Sequence, residues 1–234
     1  MSEVNALERV ETLTFASRGW ATASQWDALA RMVASLAGER CERVRLVLQP
    51  GDSGPCPSRE AMETRTRVLR SLETSGVCVA LDVVGEVHGD RLARALSCHV
   101  LSDAGDATLT VGPDVRERPP VPGTLVRLAW LVGLDAALDM LFEGRGVRVA
   151  DMDTAGGASA IRPWDVKGAR PAGGGLPSPQ GDQLLAIHAA RRLAERGGAH
   201  PLDLSLLASL YDGLRLTFDE AVTVEEREWR NLTS

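Results

Sequence analysis

The chain has 234 residues, a net charge of −6, and 44% hydrophobic but only 4% aromatic content. That length suits one large domain or a compact core with a helical appendage. The acidic balance excludes a general nucleic-acid surface and a polybasic membrane anchor.

Leu13 and Phe15 alternate with polar neighbours and predict a first strand. Residues 22–37 follow as a helix with Trp26, Leu29, Ala30, Val33 and Leu36 on one face and Ser24 as its expected cap. Residues 44–48 form a short apolar strand, 49–58 a proline- and glycine-rich loop, and 60–73 a largely charged helix. A strand at 77–84 then enters a glycine turn at Gly85, and a helix runs from Asp90, its expected cap, to Val100. Two short strands, 99–102 and 107–111, precede a loop containing Pro113, Pro119, Pro120 and Pro122. Residues 124–142 predict one long helix, closed by Gly144 and Gly146. Alternation of strands and helices in this order predicts a parallel sheet covered by helices.

From Arg162 the composition changes. A linker with Gly173, Gly174 and Gly175 leads to helices at 182–196, 202–213 and 218–232, the last opened by a Thr217–Glu220 capping box. The expected organisation is a core over 1–161 and a linker with a C-terminal helical region over 162–234. The apolar stretch 125–142 contains Arg127, Asp135 and Asp139, which argues against a membrane span. Residues 1–11 lack the pattern of a secretory signal, so a cytoplasmic protein is expected. Cys41, Cys56, Cys78 and Cys98 form no Cys-x-x-Cys pair and read as free thiols. His88, His99, His188 and His200 do not approach zinc-ligand spacing, so no metal site is expected.

The stretch 85–100 organises the rest. A strand, a glycine turn and a helix N-terminus together aim backbone N–H groups at whatever lies above the turn, which suits a developing negative oxygen. On Gly85-Glu86-Val87-His88-Gly89-Asp90-Arg91 and the helix end Leu96-Ser97-Cys98-His99, the chain resembles the crotonase (enoyl-CoA hydratase/isomerase) superfamily. The likeness continues through 131–145. The tail, at 163–168, 178–181 and 211–221, resembles the crotonase part of multifunctional fatty-acid oxidation proteins. The resemblance implies an α/β spiral of strand-strand-helix units with a C-terminal helical region, commonly assembled as a trimer. It also implies an acyl-CoA or acyl-carrier thioester as substrate and no other cofactor.

Carried over position by position, the resemblance departs from the family at the chemistry. The middle glycine of the turn, whose N–H would be one oxyanion donor, falls on Asp90, with Gly89 beside it against the substrate. The other donor falls near Pro57, which has no N–H, leaving Ser58 or Cys56 after a shift of register. One acid/base glutamate falls on Ala93. The second falls on Pro113, or on Asp114 after a one-residue slip. Asp114 and His88 are therefore the candidate catalytic groups, Ser58 and Asp90 the candidate N–H donors, and Gly89 and Cys56 the candidate substrate contacts. His99 replaces the family's aspartate at the helix end and reads as structural. Two readings follow: an enzyme that works by oxyanion stabilisation without the usual glutamates, or an accessory subunit on the same fold that assists a partner.

Overall fold

The computed structural model describes residues 8–16, 20–36, 43–112, 120–152, 160–161, 206–207, 210 and 216–232. Strand β1 (Glu8–Ala16) leads through β2 (Trp20–Ala21) into α1 (Ala23–Leu36), which buries Trp26, Leu29, Met32, Val33 and Leu36 along one stripe. Strands β3 (Arg43–Gly51) and β4 (Ser53–Gly54) precede α2 (Arg59–Glu73), then β5 (Cys78–Val87), α3 (Gly89–Ser97) and β6 (Val100–Leu109). Helices α4 (Thr124–Val132) and α5 (Leu134–Glu143), the short strands β7 (Val147–Arg148) and β8 (Ala160–Ile161), and α6 (Phe218–Leu232) complete the described elements.

The sheet order is β1-β3-β5-β6-β7, with β8 also on β6. The β1–β3, β3–β5 and β5–β6 pairs are all parallel, as the strand–helix alternation predicts, and β7 and β8 pair antiparallel to β6. The fold is thus α/β with a mostly parallel sheet. The central strands are apolar because both faces are covered: Val79, Leu81 and Val83 of β5 and Leu101 and Leu109 of β6 are all buried.

Local chemistry corrects four boundaries. Thr22, not Ser24, caps α1: its hydroxyl accepts from the Gln25 N–H at 3.3 Å, while Ser24 already lies inside the helix. The two short strands expected after α3 are one strand, β6, made continuous by a tight local turn. There the Asp103 carboxylate accepts from the N–H groups of Gly105 (2.9 Å) and Ala107 (3.0 Å), and Asp106 takes a positive φ of 49°. This excess chain on β6 shifts its register against β5 on both sides of Val84. The long helix expected at 124–142 is two, broken at Gly133, whose φ of 82° and ψ of 161° lie where side-chain-bearing residues are strained. Finally, α3 begins at Gly89, with His88 rather than Asp90 at its N-cap position.

The expected linker and the helix at 182–196 lie outside the described residues, as does most of that at 202–213. The last helix stands as predicted, with the Thr217 N–H donating to Glu220 at 2.9 Å. The N-terminal cap of α2 is Ser58, whose hydroxyl accepts from the Ala61 N–H at 3.3 Å.

Charged groups are also sealed between the helices. Arg127 of α4 donates through Nε to Glu73 of α2, and both side chains are buried. His99 stands next to them. Its Nδ1 accepts from the Val79 N–H at 3.1 Å, which leaves Nε2 to donate to the Glu73 carbonyl at 3.1 Å, confirming a structural role. Removing one member of a buried pair strands the other charge. Glu73→Gln or Arg127→Met alone is expected to cost about 3–5 kcal/mol, read by urea unfolding. The apolar double variant Glu73→Leu/Arg127→Met is expected to recover most of that loss.

Candidate functional site

The turn between β5 and α3 is built as its sequence requires. Gly89, with φ of 55°, bends the chain from strand to helix at a position that residues with a Cβ rarely adopt. The His88 carbonyl accepts from the N–H groups of Arg91 (3.1 Å) and Leu92 (3.3 Å), opening the helix. Gly89 and Asp90 occupy its first turn, where an N–H group has no carbonyl one turn earlier to pair with. The turn is clipped from outside by Arg91, whose guanidinium donates to the carbonyls of Glu86 (3.0 Å) and Val84 (3.2 Å) at the strand end.

Asp90 departs from the expected capping role. Its side chain is fully buried and points back into the protein, away from the helix end. One oxygen, Oδ2, accepts from three elements: the Ala21 N–H of β2 at 2.6 Å, the Trp26 indole of α1 at 3.3 Å and Arg65 of α2 at 3.2 Å. Arg65 also donates to the Ala21 carbonyl at 2.7 Å and lies over the rings of Trp20 (5.5 Å) and Trp26 (5.4 Å). Burial raises the Asp90 pKa, opposed by Arg65, the Ala21 N–H and the Trp26 indole. Burial likewise lowers that of Arg65, opposed by Asp90.

One turn further along α3, Arg94 is enclosed as well. None of its guanidinium nitrogens has a hydrogen-bond partner among the described residues, nor has Asp90 Oδ1. Its charge faces the Phe15 ring, 3.1 Å from the centroid, and the field of Asp90. Burial pushes Arg94 down to about 9 and the neighbouring Cys98 thiol up to about 12, so Cys98 is an inert core thiol.

The remaining candidates are spread around this cluster. Pairing of β2 with β4 (Trp20 with Gly54, Ala21 with Ser53) brings the 55–58 loop to the same end of the sheet. Cys56 is an exposed free thiol. The Ser58 side chain is committed to capping α2. His88 is half-buried and makes no side-chain cap bond. Asp114 lies outside the described residues. Ala93 is buried in α3 and carries no proton-transfer group. Among the described residues no cluster of His, Cys, Asp or Glu could hold a metal ion.

Arg65, Trp26 and Ala21 were not among the expected site residues, yet Arg65 had a readable signal. It shares the stripe Met62, Arg65, Leu69 and Leu72, at spacings that face the core. A charge on that stripe requires a buried partner. Asp90→Ala leaves Arg65 buried without its carboxylate and is expected to cost about 3–5 kcal/mol in urea unfolding, with a smaller loss for Asp90→Asn. A loss below about 1 kcal/mol for the alanine variant would overturn the assignment of Asp90 as the hub of this cluster.

No protein-family model and no curated protein sequence matches the chain. Solved structures do match in shape. An enoyl-CoA hydratase from Mycobacterium smegmatis superposes with a TM-score of 0.56 over 94% of this chain and 80% of that one, at 16% identity. A putative enoyl-CoA hydratase from Mycobacterium avium paratuberculosis K-10 gives 0.55 over 96% and 86%, at 15% identity. An enoyl-CoA hydratase/carnitine racemase from Magnetospirillum magneticum gives 0.51 over 61% of this chain, at 16% identity, and there the match spans only 60% of the other protein. The protein therefore has the crotonase fold.

Proposed function

We propose that the chain binds an acyl thioester, of CoA or of a carrier protein, at the turn between β5 and α3, and acts as a non-hydrating accessory subunit to a biosynthetic partner. The observation that carries this reading is the placement of Asp90. The turn keeps its glycine bend and its helix N-terminus, while the Asp90 carboxylate is sealed inside the protein on Ala21, Trp26 and Arg65. A helix N-terminus still offers N–H groups to a thioester oxygen. Ala93, at one expected acid/base position, has no group that transfers a proton.

Magnitudes argue against ordinary hydration. Each positioned acid or base contributes roughly 10² to 10⁴ in rate, and one oxyanion donor roughly 10² to 10³. With Ala93 at one glutamate position, and Asp90 removed from solvent, water addition falls by at least about 10² from that one position alone. The Ala21 N–H, which lies nearest the buried carboxylate, is committed to it at 2.6 Å and is not offered to a ligand.

A second reading, an enzyme that isomerises, dehydrates or hydrolyses a thioester through oxyanion stabilisation, is favoured by His88 at the helix cap, half-buried beside Gly89. Calorimetry with acetyl-CoA, crotonyl-CoA and a crotonylated carrier protein, run beside a crotonyl-CoA hydration assay, separates the readings. Binding of at least one thioester without hydration is expected. Failure to bind all three would overturn thioester recognition. Turnover that falls at least tenfold in His88→Ala would instead establish the enzyme.

A further inference from the structure

Three charged side chains are sealed behind the turn between β5 and α3, and they do not balance. Asp90, Arg65 and Arg94 are all buried, so one carboxylate stands against two guanidiniums. Arg65 takes Asp90 Oδ2 at 3.2 Å. Arg94 takes nothing: its Nε, Nη1 and Nη2 are all enclosed without a hydrogen-bond partner among the described residues. The buried acid of α2, Glu73, is already held by Arg70 and Arg127. The two cations are joined through aromatic rings rather than through a second acid. Arg94 lies over Phe15, Phe15 meets Trp26 edge-on with centroids 5.5 Å apart, and Arg65 lies 5.4 Å over Trp26.

Arg94 follows Asp90 by four residues, about 6 Å of helix. Side chains of a helix lean toward its N-terminus, which sets this charge behind the first turn of α3. The N–H groups of that turn are the ones left to meet a ligand. An isolated charge is costly to keep inside a protein, and water does little there to screen its field. Burial lowers the Arg94 pKa to about 9, which leaves it charged at neutral pH. Protonation of Asp90, which burial favours, only makes the cluster more positive. At the rim, exposed Glu86 and half-buried Arg91 offset each other.

We propose that Arg94 is a positioning residue for this turn, and that its unmatched charge makes the start of α3 select a ligand that is anionic where a thioester carries its carbonyl oxygen. The proposal rests on the thioester reading above and narrows it. The favoured ligand class is a thio-linked group bearing an enolate or a carboxylate at its acyl end, in preference to a neutral thioester. The dipole of α3 acts in the same direction. Across roughly 10 Å at an effective dielectric near 20, one unit charge changes anion affinity by about tenfold.

Acetyl-CoA and S-carboxymethyl-CoA, whose carboxylate mimics the enolate of an acetyl thioester, form the test pair. The same two groups on the pantetheine arm of a carrier protein separate the two sources of the ligand. In calorimetry with the whole chain, the carboxymethyl form is expected to bind at least about tenfold tighter than the acetyl form on the carrier that is recognised. Arg94→Met is expected to abolish that preference. The same variant is expected to raise the urea midpoint, because it removes a buried charge without breaking a hydrogen bond. A side chain kept for stability alone gives the opposite result. Equal binding of the pair by the wild type, or a preference that survives in Arg94→Met, would overturn the role of Arg94 and leave thioester recognition standing. A lower urea midpoint in Arg94→Met would overturn the unmatched charge. Failure of all four ligands to bind would overturn the thioester site, and the role of Arg94 with it.

Discussion

A carboxylate cannot be taken out of water unless its charge is met by donors already in place, and four elements of this fold converge to meet that demand at Asp90. Strand β2 supplies the Ala21 N–H, α1 the Trp26 indole and α2 the Arg65 guanidinium, while α3 supplies the acid itself. Arg65 closes the group by binding the Ala21 carbonyl, so both polar atoms of one peptide residue are used. The two tryptophans then shield the guanidinium from water, strengthening an attraction that solvent would otherwise screen. The start of α3 is thereby fixed relative to the first helix of the chain. The turn between β5 and α3 inherits its position from this cluster.

Such a cluster specifies more than it stabilises. Buried ion pairs return little net energy against apolar packing, but a misplaced partner is heavily penalised. The second sealed pair, Glu73 with Arg127, works in the same way between α2 and α4, so α2 carries one buried charge at its middle, Arg65, and another at its last residue, Glu73. Arg94 is different. It has an aromatic face in place of a carboxylate, and its depressed pKa reflects the cost of leaving a guanidinium with so few partners.

The fold was legible where patterning is one-dimensional. The apolar runs of β3 and β5, the stripe of α1 and the Thr217–Glu220 capping box depend on near neighbours in the chain, and each is present. The long helix at 124–142 was misjudged because Gly133 is tolerable within a helical pattern, and only its backbone angles show the break. At the site, the glycine turn and the absence of a proton donor at Ala93 could be read directly. The fate of Asp90 could not, because a helix cap and a buried ion pair place an acid at nearly the same point in sequence and differ only in where the side chain turns. Its partners lie 25 to 69 residues away, and no local rule reaches that far.

The Arg91 clip gives the turn a mechanical property. Where β5 loses register with β6, the Val84 and Glu86 carbonyls are held by a side chain that belongs to the following helix. Strand end and helix start are therefore cross-braced through a route that bypasses the intervening peptide bonds. A displacement of α3 is transmitted to the strand end as tension on two carbonyls, with Gly85 and Gly89 free to pivot between them. The helix start and the rim of the sheet are thus joined as one unit.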